Sequence, residues 1–373
     1  MDFYKKYGKY VVLVSFIFIG ILVVLYATKK DKSSGDATLI SVTPSPTVTV
    51  APTEAIEVED DHTGEAKSKL TGLWIPEEEA MKRPYAIMFN NIKIANPQSG
   101  ISDASILYEA LTEGGITRLM GVFENISEDS LTAKRIGSVR SARHYYVSFA
   151  DEYDAIFIHF GKTTYANKKM QKLGIDHLDG NMGIGASGFY RDKAIKAPHN
   201  AFTSLEGIQK VIDKAGFRTT YEEGYRGHFL FMDEGEILTS DVAANKVSIK
   251  FSTYAKPYFI YDKENSVYQR YQYDQPHVDA NTNEILTFKN IIVQFVKEWD
   301  IDKNGYQTMD IENAEGEGYY ITNGGAIPIT WTKNESTGIM RYYNLDKTEL
   351  SIHPGKTYIA VFPNSKTSDV VFE

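Results

Sequence analysis

Residues 135–143, with the sequence RIGSVRSAR, place three arginines around a Gly-Ser pair. This pattern predicts that Ser138 caps a helix, because a serine hydroxyl accepts a hydrogen bond from the first free backbone N–H groups of a helix. Arg140 and Arg143 would then lie one turn apart on the same face. Helix N-termini favour anions, and guanidinium groups bind carboxylates and phosphates through paired hydrogen bonds. The segment therefore predicts a clamp for a carboxylate or a phosphate group.

The same arginines could instead form structural ion pairs. Asp151, Glu152 and Asp154 are the nearby carboxylates that would serve as partners. A single arginine is usually paired in this way, whereas a group of arginines in a net-acidic chain favours a ligand. The residues alone leave both interpretations open.

Two histidines stand where side chains of α/β proteins often face a ligand. His159 ends a predicted strand, at the carboxyl edge of the sheet to which it would belong. His199 and Asn200 precede a predicted helix, and Arg191 lies in the glycine-rich loop before them. The predicted crevice is lined by Arg140, Arg143, His159, Arg191, His199 and Asn200. Within it His159 and His199 are the candidate general bases, and the alternative for each is a structural hydrogen-bonding role.

Carboxylates at a helical spacing give a weaker indication of a cation site. Asp103, Glu109 and Glu113 lie on a helix that is predicted to begin near Ser102 and to end at Gly114. No His-x-His or His-Glu-x-x-His motif accompanies them. The chain contains no cysteine, which excludes thiolate zinc sites and cysteine nucleophiles. We therefore expect neither a metal nor a cofactor.

Composition restricts the classes of partner. The chain has 373 residues, of which 42% are hydrophobic, and a formal net charge of −9. General binding to nucleic acid requires a basic face that displaces counterions from phosphates, so we expect no nucleic-acid partner. Roughly 300 residues remain beyond the N-terminal segments, which suffices for one large domain or two closely packed subdomains.

The N-terminal region contains one long apolar segment. Residues 10–26, YVVLVSFIFIGILVVLY, carry no charge. As a helix, residues 10–28 would span roughly 27 Å, close to the hydrocarbon thickness of about 30 Å. A cleaved signal peptide would have a shorter apolar region and a cleavage site with small residues. We therefore expect residues 1–30 to be a membrane anchor with a single transmembrane helix.

The next segment bears on the orientation of this anchor. Lysines flank both ends of the apolar segment, so the positive-inside rule gives no preference. Residues 31–75 are rich in Ser, Thr, Pro and acidic residues and are predicted to form a disordered stalk. Such a stalk is typical of chains whose globular domain stands outside the cell, and a cytoplasmic linker is the alternative. We expect the domain to be extracellular.

The rest of the chain divides at about residue 228 by its hydrophobic periodicity. In residues 76–228 strand and helix patterns alternate, with strands predicted at 85–89, 119–123 and 155–160. Helices are predicted to begin near Ser102, at Ser138 and after a capping box formed by Thr203 and Glu206. This pattern predicts a layered α/β first subdomain.

Residues 229–373 show a period of two instead. Strands are predicted at 291–296 and 358–362, with a hairpin about residues 323–325. The predicted fold class is thus α+β or α/β: the layered α/β subdomain is followed by a β-rich, mainly antiparallel second subdomain.

Several long motifs of the globular part occur in a known family. RPYAIMFNN, IGSVRSARHYY, EYDAIFIHFG, APHNAFTS and HPGKTYIAVFP follow one another over residues 83–364. In these motifs the chain resembles the YerB-like lipoprotein family. The resemblance implies a cell-envelope protein of a mainly Gram-positive group, and it implies no reaction, because the activity of the family is not established. Many members carry a lipidated cysteine, which the apolar segment replaces in this chain.

Two functions follow as hypotheses, and the residues do not decide whether the protein is an enzyme. The first is a membrane-anchored module that binds an anionic ligand, a cell-wall polymer or an envelope protein, through the clamp of Arg140 and Arg143. The second is a hydrolase or transferase acting on wall polymers, with His159 or His199 as general base beside a carboxylate. The second hypothesis requires a histidine within about 3 Å of an acid in one cleft.

Overall fold

The computed structural model describes residues 62–233, 235–236, 238, 240–334 and 338–373. The predicted membrane anchor and residues 31–61 of the predicted stalk lie outside the described residues. Within the described ranges, no helix is both long enough and apolar enough to cross a membrane. Residues 62–75, predicted as the end of the stalk, form a short antiparallel hairpin, and Leu70 is fully buried. The folded part therefore begins earlier than its composition indicated.

The α-helices of the described part are short and fall in its first half. They are α1 (Glu77–Ala80), α2 (Leu131–Lys134), α3 (His144–Asp151), α4 (Thr164–Leu173) and α5 (Leu205–Ala215).

Strands dominate the described chain and continue to its C-terminus. In chain order they are β1 (Glu65–Lys67), β2 (Trp74–Pro76), β3 (Tyr85–Asn90), β4 (Ile106–Leu111), β5 (Thr117–Phe123), β6 (Ile136–Gly137), β7 (Ile156–His159), β8 (His177–Asp179), β9 (Phe189–Arg191), β10 (Ala201–Thr203), β11 (Leu230–Phe231), β12 (Val242–Ala243), β13 (Lys246–Ile249), β14 (Tyr258–Asp262), β15 (Val267–Gln272), β16 (Gln275–Pro276), β17 (Thr287–Phe288), β18 (Asn290–Val296), β19 (Glu298–Asp300), β20 (Gln307–Met309), β21 (Ala314–Thr322), β22 (Gly325–Lys333), β23 (Met340–Tyr343), β24 (Ser351–Ile352), β25 (Thr357–Pro363) and β26 (Val370–Phe372).

One eleven-stranded mixed sheet joins the two predicted subdomains. Its order is β12-β22-β21-β18-β25-β4-β5-β3-β7-β8, and β23 also pairs with β22. The joint is the parallel pairing of β25 with β4, in which Thr357 lies opposite Ile106. Strands from both sides of residue 228 thus share one hydrogen-bonded sheet.

The large sheet is covered on both faces. Alternate residues of β3 point to opposite sides, so Ala86 and Met88 pack with α3 and α4. Ile87 and Phe89 join a second core that includes α5 and the smaller antiparallel sheet β16-β15-β14-β13-β26. The mixed α+β class is confirmed, and the β-rich character of the second half with it.

The helix predicted from Ser102 is wrong, because residues 106–111 form strand β4. Ile106, Leu107, Ala110 and Leu111 fit one helix face by their spacing, but all six residues of β4 are buried. A strand in the middle of a sheet that is covered on both faces is apolar on both sides and loses its period of two. Asp103, Glu109 and Glu113 therefore do not share a helix face.

The helix predicted to start at Ser138 begins at His144 instead. Ser138 directly follows β6, and the backbone groups there are already paired. Its carbonyl accepts from the N–H of Asn90, and the next N–H, that of Val139, donates to the carbonyl of Ala201. Arg143 is the N-cap residue of α3. Arg140 and Arg143 therefore do not lie one turn apart on a helix.

Helix α5 forms as predicted, with Leu205, Ile208, Val211 and Ile212 buried, but its cap is displaced by one residue. The Ser204 hydroxyl accepts from the N–H of Gly207 at 3.1 Å, so Thr203 is not the capping residue of the predicted box.

We expect Ser204→Ala to lower the free energy of unfolding by about 1 kcal/mol, because a helix N–H loses its acceptor. Urea denaturation measures the change. Ser127→Ala, at an exposed serine outside the helices, is the control and should change stability by less than about 0.5 kcal/mol. Equal effects of the two substitutions would contradict the capping role.

Candidate functional site

The arginine-bearing segment inserts between two strand ends. β3 and β7 pair only as far as Ile87 and Ile158, and beyond that point the segment around Arg140 lies between them. The N–H of Arg140 donates to Met88 at 3.0 Å, and the N–H of Phe160 donates to Arg140 at 3.0 Å. Arg140 is thereby fixed at the carboxyl edge of the sheet, where α/β proteins commonly bind ligands.

Arg118 and Arg143 converge on one backbone carbonyl. Nη1 of Arg118 donates to the carbonyl of Ser141, and Nη1 of Arg143 donates to the same oxygen at 3.3 Å. Arg118 is 5% exposed and Arg143 is 7% exposed. Burial, followed by the charges of Arg143 and Arg140, lowers the pKa of Arg118 to about 9. Like charges are thus held together in a desolvated place.

One carboxylate neutralises part of this charge. Glu113 accepts from Nε and Nη2 of Arg143, both at 2.6 Å, which is a bidentate ion pair. Burial alone would raise the Glu113 pKa, but the hydrogen bond and the charge of Arg143 lower it overall.

Arg140 and Arg191 form the more accessible part of the group. Arg140 is half-buried, and the one hydrogen-bond partner of its guanidinium among the described residues is the carbonyl of Pro198 at 2.9 Å. Burial and then the charges of Arg143 and Arg191 lower its pKa. Arg191 is exposed and donates to Oδ1 of Asn200 at 2.8 Å. Its guanidinium also lies over the ring of Phe160, 4.7 Å from the centroid.

His199 adds a neutral donor. The amide nitrogen of Asn90 lies 2.9 Å from Nδ1 of His199, so Nδ1 accepts and the ring proton is on Nε2. Burial, followed by the charges of Arg140 and Lys196, lowers the His199 pKa. No partner of Nε2 occurs among the residues that the structure describes, so this N–H is available to an anion.

Two of the three acids proposed as partners of the arginines bind other cations. Glu152 pairs with Lys333 at 2.7 Å, and Asp154 pairs with Arg218 at 2.7 Å. Asp151 has no ion pair in the described part of the chain. Within the same ranges, neither Arg118 nor Arg140 has a salt bridge to any carboxylate.

His159 belongs to a separate buried network. Its Nδ1–H donates to the carbonyl of Gly161 at 2.9 Å, and its Nε2 lies 3.1 Å from Nδ1 of His177. Asp179 is 3.9 Å away and binds Lys162 at 2.6 Å. Burial lowers the His159 pKa to about 4 although the Asp179 charge opposes this. His159 is fully buried with both ring nitrogens in contact with protein groups.

Of the six predicted crevice residues, five lie close together in the structure and one lies apart. Arg140, Arg143, Arg191, His199 and Asn200 are linked by the contacts above. No contact joins His159 to them among the described residues. We call the group of Arg118, Arg140, Arg143, Arg191 and His199 the arginine cluster. Its buried member, Arg118, was not predicted, although an arginine inside the apolar strand TRLMGVF was a visible signal.

A buried hydrogen-bond chain connects the arginine cluster to the second half of the protein. His277 is fully buried, and Nε2 of His277 donates to Oε1 of Gln98 at 2.6 Å. The Gln98 amide nitrogen donates to the carbonyl of Asn90 at 2.7 Å. Asn90 in turn holds His199. The second half therefore fixes a residue of the site through groups that carry no sequence motif.

Two of the three carboxylates considered for a cation, Glu109 and Glu113, are engaged with arginines instead. Glu113 holds Arg143, and Glu109 binds Arg270 at 2.6 Å. Within the described ranges, no three His, Asp or Glu side chains are arranged so that they could hold a metal ion.

The fold and the sequence together define a family. Family models for the N-terminal and C-terminal domains of a protein of unknown function, DUF3048, match residues 70–218 and 247–359. The chain belongs to this family. It is 30% identical over 311 residues to "Putative lipoprotein YerB" of Bacillus subtilis (strain 168), which covers 82% of this chain and 88% of that protein. The crystal structure of YerB from Bacillus subtilis matches with a TM-score of 0.73 at 29% identity, over 83% of this chain and 99% of that one. The resemblance to YerB-like lipoproteins is confirmed.

Proposed function

We propose that this protein is a binding module of the cell envelope that holds an anionic ligand, a wall polymer or an acidic surface of a partner protein, at the arginine cluster. The charges of Arg143 and Arg140 act on Arg118, and those of Arg143 and Arg191 act on Arg140, so the four guanidinium groups are close enough to repel one another. Glu113 is the single carboxylate that pairs with them in the described part of the chain. An external anion would supply the missing negative charge.

The buried state of Arg118 is the observation that carries the proposal. A guanidinium that is 5% exposed and has no carboxylate partner among the described residues is costly, because burial of a charge is compensated only by pairing. The neighbouring charges of Arg143 and Arg140 increase that cost. Bound phosphate or carboxylate groups would reduce it through charge-assisted hydrogen bonds.

A membrane-anchored, extracellular position is part of the same proposal. The relative YerB is named a lipoprotein, and lipoproteins are attached to a membrane by a lipidated cysteine. This chain has no cysteine, and residues 10–28 have the length and composition of a transmembrane helix. The proposal assigns the anchoring role to these residues.

The geometry does not favour the alternative of a histidine-dependent hydrolase. His159 is fully buried and 3.9 Å from its nearest carboxylate, Asp179. His199 accepts a hydrogen bond on Nδ1 and carries its proton on Nε2, so it is arranged as a donor and not as a base.

Binding of polyanions to the full-length protein in detergent tests the proposal. We expect Arg140→Gln combined with Arg191→Gln to weaken binding of a poly(glycerol phosphate) chain at least about tenfold, since each charged hydrogen bond contributes about 1.5–3 kcal/mol. Polyglutamate, measured in parallel, distinguishes carboxylate from phosphate recognition.

The matched control removes the same charge elsewhere. Arg226 and Lys214 are exposed and lie outside the arginine cluster, so Arg226→Gln with Lys214→Gln should leave the affinity within about twofold. If both double variants weaken binding equally, the interaction depends on net charge alone and the proposed site is wrong. Absence of binding by the wild-type protein to either polymer would also refute it.

A further inference from the structure

An acidic cleft lies at the other end of β3. Its volume is about 690 Å³, and it is bounded by α1, α5 and the strand ends at Tyr85 and Ile156. Asn90, at the opposite end of β3, contacts the arginine cluster through His199. Tyr85 and Asn90 are five residue steps apart along the strand, which corresponds to roughly 17 Å. The cleft is therefore a different place from the arginine cluster, with the opposite charge.

The carboxylates of this cleft outnumber the cations that face them. Glu78, Glu124, Glu128 and Asp213 line it, and none has a salt bridge among the described residues. The two lining cations are already paired. Lys82 binds Glu79 at 2.6 Å, and Arg83 binds Asp176 at 2.6 Å.

Glu124 is a buried carboxylate of the cleft that lacks one hydrogen-bond donor. It follows β5 directly and is 8% exposed. Its Oε2 accepts from the Ser68 hydroxyl, whereas its buried Oε1 has no hydrogen-bond donor in the described part of the chain. Oε2 of Glu79 is likewise buried and without a donor there. Burial raises the Glu124 pKa although Ser68 and Lys69 oppose this. A buried carboxylate oxygen without a donor costs free energy that an entering N–H group would recover.

Part of the cleft wall is apolar. On α5, Leu205, Gln209, Ile212 and Asp213 follow one another at intervals of three or four residues and line the same side. Ile126 and the Tyr85 ring contribute further apolar surface. The helix thus supplies both a hydrophobic wall and a carboxylate at its rim.

We propose that this cleft binds a primary alkylammonium group, with Glu124 as its buried carboxylate and Asp213 at its rim. An alkylammonium ion has three N–H donors on an aliphatic stem, which matches carboxylate oxygens beside the apolar side chains of α5. The volume falls in the range of about 300–1,000 Å³ that is usual for small-molecule sites. A free diamine and a lysine side chain carry the same group.

Calorimetric titration of the full-length protein with cadaverine and with Nα-acetyl-lysine amide tests this inference. We expect saturable binding of one or both and none of 1-pentanol, which lacks the charge. Glu124→Gln should weaken binding at least about tenfold, because it removes the buried charge and keeps the shape. Asp213→Asn should weaken it less, since Asp213 is exposed. Preference between the two amines indicates whether the source is a free amine or a peptide.

The control is Glu206→Gln, at an exposed residue of α5 that does not line the cleft. It should bind like the wild type. Failure of the wild-type protein to bind either amine at millimolar concentration would overturn the inference, as would equal affinities of the Glu124→Gln and Glu206→Gln variants. An unchanged urea midpoint for Glu124→Gln verifies that the variant is folded. Polyanion binding does not depend on the cleft, so each proposal can fail separately.

Discussion

Glu109→Ala is expected to lower the free energy of unfolding by about 3–5 kcal/mol, because it leaves the guanidinium of Arg270 buried without its counter-charge. Both side chains of this ion pair are 0% exposed, and the closest distance between them is 2.6 Å. Glu109 also accepts from the hydroxyls of Thr117 and Tyr358, at 2.6 and 2.8 Å, and from the Asn91 amide at 3.0 Å. Four donors would lose one acceptor group at once.

Urea denaturation at neutral pH measures this loss. Glu317→Ala, at an exposed residue of β21, should change the free energy of unfolding by less than about 0.5 kcal/mol. Replacing both members of the pair, Glu109→Met with Arg270→Met, should recover much of the loss, since no unpaired charge remains. If Glu109→Ala lowers the free energy of unfolding by less than about 1 kcal/mol, the ion pair of Glu109 and Arg270 is not buried.

The ion pair of Glu109 and Arg270 is also connected to the arginine cluster. Glu109 lies in β4, and Arg270 lies in β15 of the smaller sheet, so their contact holds the two sheets together. Nη1 of Arg270 also contacts Nδ1 of His277, which begins the hydrogen-bond chain to Asn90 and His199. Burial, followed by the charge of Arg270, keeps the His277 pKa well below its usual value, so His277 is neutral and accepts on Nδ1. A variant of Glu109 is therefore expected to disturb ligand binding as well as stability.

Lys333→Met is expected to destabilise the protein by about 3–5 kcal/mol at pH 8 and by clearly less at pH 5. Lys333 is 4% exposed and binds Glu152, which is 1% exposed, at 2.7 Å. The N–H of Met340 also donates to Glu152 at 3.2 Å, and Nδ1 of His228 lies 3.2 Å away. Without Lys333 the buried carboxylate has no cation beside it.

The sign of the pH dependence follows from Glu152. Burial raises the Glu152 pKa above that of the unfolded chain, although Lys333 lowers it in part. A group with a raised pKa binds more protons in the folded state, so stability falls as the pH rises from the unfolded towards the folded pKa. Removal of Lys333 raises the folded pKa further and enlarges this fall. Glu312, whose pKa is lowered to about 2 mainly by Lys333 and Lys169 against the effect of burial, would lose one of its cations.

Denaturation curves at pH 5 and pH 8 give the comparison. Lys303→Met, which removes an exposed lysine, should show a small change that is similar at both values. If Lys333→Met loses the same free energy at pH 5 and pH 8, Glu152 does not protonate in the variant, and the explanation by an isolated buried carboxylate is wrong.

The errors in predicting elements have a common physical origin. The residues of β4 fit a helix by spacing, and they form a strand because partners far along the chain bury both of its faces: Thr357 lies opposite Ile106. Ser138 has the residue type of a helix cap, but its backbone is already paired with Asn90. A local sequence pattern indicates which faces of a helix or strand are apolar. It does not indicate which distant segments will pack against those faces. Where one face only is covered, as in α5, the prediction succeeds.

The arginine cluster was predictable in part for the same reason. Arg140 and Arg143 are close in sequence, whereas Arg118 lies far from them in sequence and meets them at Ser141. His159 stands at the predicted strand end, yet its ring is turned to His177 in a separate network. A strand end defines where a residue lies and leaves open which side its ring faces.

The sequence by itself determined the family, the mixed fold class, most strands and the concentration of arginine at residues 135–143. These features depend on residue type and on the local hydrophobic periodicity, and both can be read from the sequence. The tertiary structure alone decided that Arg118 is buried beside Arg143, that Glu109 pairs with Arg270 across 161 residues, and that the acidic cleft forms at the other end of β3. Each of these depends on desolvation and on contacts between distant segments. A charge becomes buried only when segments far apart in the sequence pack around it.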